Sequence, residues 1–72
     1  MSKTFKNLGF EVICSTFDYC AMCNRNGIEI IVDRNIGKCA ITSHCITEVA
    51  SQHDLYTWFD VNSLERYIRK DR

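Results

Sequence analysis

Most of the reactive chemistry in this chain sits in five cysteines, Cys14, Cys20, Cys23, Cys39 and Cys45, and two histidines, His44 and His53. Cys20-Ala-Met-Cys23 has the spacing at which a tight turn, a zinc knuckle, points two sulfurs at one ion. Fifteen residues separate Cys23 from Cys39, enough for one β-hairpin that returns the chain to the knuckle. Cys45 stands where a helical period begins, and the end of a helix that carries free N–H groups favours a thiolate. Sulfur-rich tetrahedral sites select zinc. Cys20, Cys23, Cys39 and Cys45 are therefore the expected zinc ligands. The second pair is spaced C-x5-C, with Thr42 where a regular pair would place a thiol, so His44 is an alternative fourth ligand. Without a metal, the same cysteines would be small buried hydrophobes. Cys14, inside an apolar stretch, is assigned to the core.

The elements that must position these residues follow from local pattern. Phe10 to Cys14 has β-branched and aromatic content suited to a strand. Asn24-Arg25-Asn26-Gly27 carries the strongest turn signal in the chain. Ile28 to Asp33 and Gly37 to Ile41 read as strands around a second turn at Asp33-Arg34-Asn35, giving a two- or three-stranded antiparallel meander. After Thr42 the period lengthens: Ile46, Val49, Ala50 and His53 recur at the spacing of one helical face, with Thr42 or Ser43 as the cap. Residues 55–61 read as an extended, aromatic-rich linker. Asn62 with Glu65 three positions later resembles a capping box for a last helix, Ser63 to Lys70, with Leu64, Tyr67 and Ile68 on one side.

Length and composition bound the fold. Seventy-two residues, 46% hydrophobic and 25% charged, with no proline, make one globular domain spanning 1–72. So short a chain buries only about 60% of the surface its unfolded form exposes, and a staple is expected. The odd cysteine count and an N-terminus without a secretory pattern favour metal over disulfides and make the cytoplasm the expected compartment. No apolar run approaches membrane-spanning length. A formal net charge of zero and a pI near 6.7 argue against non-specific binding to nucleic acid or anionic membrane.

Cys20-Ala-Met-Cys23, the Asn-Gly-Ile that follows and the gap to Cys39 resemble the small sporulation anti-sigma factor family called Gin, over residues 20–45. That resemblance implies a bound zinc ion and inhibition of a sigma factor by contact. A second likeness joins Trp58 to Ile68 to the last strand and helix of small excisionase-type winged-helix DNA-binding proteins.

The expected fold is a small α+β domain of treble-clef type, a zinc knuckle and β-hairpin packed on one or two C-terminal helices. Its expected function is that of a non-enzymatic inhibitor or adaptor acting on another protein, with a sigma factor or another transcription component as the partner class. A small nucleic-acid-binding regulator is the alternative. Nothing in the sequence supplies the orienting group and oxyanion donor that a Cys–His nucleophile requires. Aromatic and arginine side chains are the composition of interface hot spots, so Tyr56, Tyr67, Arg66 and Arg69 are the candidate contacts, to a protein partner or in a homodimer. Trp58 or Phe59 is assigned to the core.

Overall fold

Ile30 and Ile31 are neighbours in the chain, yet both are closed to solvent, at 0% and 1% exposure. Successive side chains of a strand point to opposite faces, so a strand carrying this pair needs cover on both sides. The computed structural model, which describes residues 5–70, supplies it. Four antiparallel strands run in the order β1 (Phe10–Ser15), β2 (Tyr19–Asn24), β3 (Glu29–Asp33) and β4 (Lys38–Ile41). Two helices follow, α1 (Ile46–Ser51) and α2 (Val61–Lys70). The domain is thus a small α+β fold, with one strand more than the expected meander.

Each turn is held by a side chain that replaces missing ladder partners. The Asn24 side-chain oxygen accepts from the N–H groups of Asn26 (3.0 Å) and Ile28 (2.9 Å), and Gly27 takes the positive φ of 87° that closes the turn. Between β3 and β4, Asp33 Oδ1 accepts from the Asn35 N–H at 2.8 Å. Both turns fall where the sequence places them.

Register sorts the strand residues into two cores. On one face Phe10, Ile30 and Cys39 pack with Leu64 of α2, joined by Met22, Val32, Phe59 and Ile68. On the other, Ala21 and Ile31 pack with Ile46 and Val49 of α1, flanked by Tyr19, Tyr56 and Trp58. Fully burying an aliphatic side chain of this size is worth about 1.5–3 kcal/mol. Trp58 and Phe59 are both half-buried, one against each core.

The end of the first helix departs from expectation. His53–Leu55 forms a short 3-10 turn, so His53 does not continue the helical face, and Ala50 is exposed. Phe59 then bridges to Cys39 through paired backbone hydrogen bonds of 2.8 and 2.9 Å, covering the outer edge of β4. The last helix begins earlier than the Asn62 pattern suggests. Asp60 Oδ1 accepts from the Ser63 N–H at 2.9 Å, which makes Asp60 the cap. The hydrogen bonds from Ser63 hold the Asp60 carboxyl below its usual range.

Two predictions follow from this packing. Ile31→Ala and Leu64→Ala should each cost ~2–5 kcal/mol in denaturant unfolding, whereas Tyr67→Ala, on the exposed side of α2, should cost under ~0.5 kcal/mol. Asp60→Ala should lower the melting temperature at neutral pH. Because the folded-state pKa of Asp60 is depressed, its contribution is present above the unfolded carboxylate pKa and lost as pH falls through the folded value. The melting curves of wild type and variant should therefore converge in acid, and a gap that persists there would rule out the charged cap.

Candidate functional site

The four expected zinc ligands are distributed through the fold rather than gathered. No turn forms at Cys20-Ala-Met-Cys23; β2 runs straight through it. Three residues apart on a strand, Cys20 and Cys23 point to opposite faces. Cys20 pairs with Val32, and Val32 pairs with Cys39, so Cys20 and Cys39 share a face but stand two strands apart with Val32 between them. Two strand spacings are about 9.6 Å, whereas two Zn–S bonds of about 2.3 Å need sulfurs within roughly half that distance. Cys45 is exposed, at the residue before α1. Among the described residues no three His, Cys, Asp or Glu side chains are grouped to hold a metal ion. The thiols as placed do not fit a four-ligand zinc cage.

The environment of Cys39 explains why it suits the core better. Its Sγ donates to the Phe59 carbonyl at 3.4 Å. Burial, with a smaller contribution from the Asp60 carboxylate, pushes its thiol up to about 12. The thiolate that metal binding or nucleophilic attack uses is disfavoured there. Cys23 is half-buried and donates to the Asn24 carbonyl at 3.3 Å.

Cys14 reverses its assignment. Instead of lying in the core it is exposed, because β1 is an edge strand and its register slips between Val12 and Cys14. The slip sets Cys14 opposite Ala21, on the α1 side of the sheet. There it lines an open cleft of about 280 Å³ with Ile13, Ala21, Glu29 and the segment from Ser43 to Ile46. His44 and Cys45 are brought to this cleft, though not the other three expected thiols, Cys20, Cys23 and Cys39. The His44 ring lies 3.2 Å from the Glu48 carboxylate across one helical turn, with both side chains about half exposed.

The second histidine serves the fold. His53 Nε2 lies 2.8 Å from Asp33 Oδ2, and its ring stacks on Trp58 at 4.6 Å between centroids. Trp58 Nε1 donates to the His53 carbonyl at 2.9 Å. Asp33, buried and also holding the β3–β4 turn, thus ties that hairpin to the 3-10 turn crossing the α1 face. Among the described residues no cysteine hydrogen-bonds to either histidine, so neither imidazole is set to activate a thiol.

The expected contact residues do not form one patch. Tyr56 is half-buried on the α1 face, while Arg66 and Tyr67 are exposed on α2, which covers the other face. The side chain of Arg69 lies outside the described residues. The larger apolar exposure is elsewhere, along β1 and the turn after it: Val12 at 58%, Ile13 at 57% and Phe17 at 93%. From sequence, Cys14 of this stretch is assigned to the core and no burial is assigned to Val12, Ile13 or Phe17. The unbroken apolar run from Val12 to Cys14 is the pattern of a strand covered on both faces, so local sequence carries no sign that β1 is an exposed edge. No family model matches the chain, and no curated protein or solved structure matches it either.

Thiol accessibility gives a direct check on this placement. Native protein titrated with a chromogenic disulfide at neutral pH should show two fast thiols, Cys14 and Cys45, with Cys20 and Cys39 reacting only on unfolding. Fast reaction of Cys39, or protection of Cys45 by added zinc, would show a different arrangement of the sulfurs.

Proposed function

We propose that this chain is a non-enzymatic protein-interaction module that docks an extended segment of a partner protein along β1. The observation that carries this reading is the outer edge of that strand. β1 ends the sheet, and from Glu11 to Ser15 no backbone group bonds outward among the described residues. The Phe10 N–H donates to the Phe5 carbonyl at 3.1 Å, away from β2. By the two-residue period of a strand, the Val12 N–H faces the same outer side.

Unpaired edges of this kind template the addition of another strand, and proteins that do not use them blunt them with proline, lysine or inward charges. This edge carries Val12 and Ile13, both more than half exposed, and Phe17 just beyond its end. Strand addition satisfies the open backbone groups, while the side chains on alternate positions supply specificity. The cleft beside β1 lies where such side chains would enter.

The inhibitor form of the reading, with a sigma factor or another transcription component as partner, is supported only by the spacing within residues 20–45. The edge-strand form needs no metal. The nucleic-acid alternative would use Arg66 and Arg69 on α2 and would show as DNA binding with a steep salt dependence.

Val12→Pro tests the proposal, since proline is tolerated where the N–H of an edge strand faces solvent and removes that donor. A partner captured by the wild-type chain and lost with Val12→Pro, at unchanged far-UV circular dichroism, is the expected result. Equal capture by both would overturn it, as would loss of capture on Arg66→Ala alone.

A further inference from the structure

We infer that the segment docking on β1 alternates basic and apolar residues, its basic side chains facing Glu11 and Glu29; this rests on the edge-strand reading above. Glu11 pairs with Cys23, and Cys23 with Glu29. The two carboxylates therefore lie on one face of the sheet, the α1 face, and Glu29 forms part of the cleft wall. Neither is in an ion pair or side-chain hydrogen bond among the described residues. β1, β2 and β3 contain no lysine or arginine; Arg25, exposed in the turn two residues beyond Cys23, makes no ion pair with either carboxylate among the described residues, and Arg34 bonds to Ser15 Oγ at the far end of β1 (2.7 Å). A third carboxylate, Glu48, lies beside His44, which lines the cleft.

A strand added outside β1 would present every second residue to this face. A lysine or arginine there can lay its apolar stem along Ile13 and bring its charge to Glu11 on the adjacent strand, while Glu29, three strand spacings away at about 14 Å, adds a longer-range attraction from the cleft wall. The intervening residues would turn to the α2 face, where Val12 is exposed and an aliphatic neighbour suits it. Charge also separates a foreign partner from a second copy of this chain. A second β1 brings a further Glu11 and no cation, so self-pairing leaves the carboxylates unmatched.

Fluorescence anisotropy at low ionic strength with short labelled peptides decides it. A peptide alternating Lys and Val should bind, and replacing every Lys by Gln should weaken binding roughly two- to tenfold, the range for one direct and one more distant, partly exposed charge pair. The double change Glu11→Gln with Glu29→Gln should lower affinity for the Lys peptide to that for the Gln peptide and leave the Gln peptide unaffected. Val12→Pro, or Val12→Lys should the proline variant not fold, should abolish both. Equal binding of the Lys and Gln peptides would overturn the charge inference while leaving strand addition intact. Lys-peptide binding that survives Val12→Pro would overturn both readings. Sedimentation showing a dimer of the chain that Val12→Pro dissolves would assign the edge to a second copy and overturn this inference.

Discussion

The burial of Ile30 and Ile31 on opposite faces of β3 is the constraint from which the rest of the architecture follows. A strand closed on both sides cannot sit at the surface of a hairpin; it needs neighbours on both edges and a layer on each face. In 72 residues the chain meets this with a four-stranded meander and two short helices, one per face. Because α1 covers one face and α2 the other, the segment joining them has to pass around the sheet. It passes at the β4 edge, where Phe59 and Cys39 exchange backbone hydrogen bonds. That crossing is also why Cys39 is among the most deeply buried residues.

The two edges of the sheet consequently have different fates. The β4 edge is covered by the crossing chain, and the Asp33–His53–Trp58 contacts secure that crossing on the α1 side. β1 has no such cover among the described residues, and its register slip sets Cys14 on the cleft side. An apolar edge strand left open in a domain this small is a hazard for aggregation, which gives the exposed Val12 and Ile13 a reason beyond packing. The proposed docking at this edge, by a segment whose charge complements Glu11 and Glu29, would account for the edge and the cleft with one surface.

The cysteines show how a short motif loses its meaning when its local conformation changes. A two-residue gap brings two sulfurs together only in a turn. In β2 the same gap separates them across the sheet, because Tyr19 to Asn24 is drawn into the ladder between β1 and β3. The turn chemistry nearby is real, but it lies one step later, at Asn24 to Gly27, where the Asn24 side chain organises it.

Turns, strands and the general α+β class were legible in the sequence because they rest on local signals. Asn-Gly, Asp33 before a turn, β-branched runs, and the spacing of Ile46 and Val49 each act within a few residues. The site was not legible in the same way. Whether Cys14 is buried depends on which strand is the edge, and whether Cys20 and Cys39 meet depends on the pairing of two strands through Val32. Helix α2 starts at Val61 because Asp60, held beside β4 by the Phe59 bridge, is the residue that caps it. These outcomes are decided by contacts between residues far apart in the chain, and only the tertiary structure contains them.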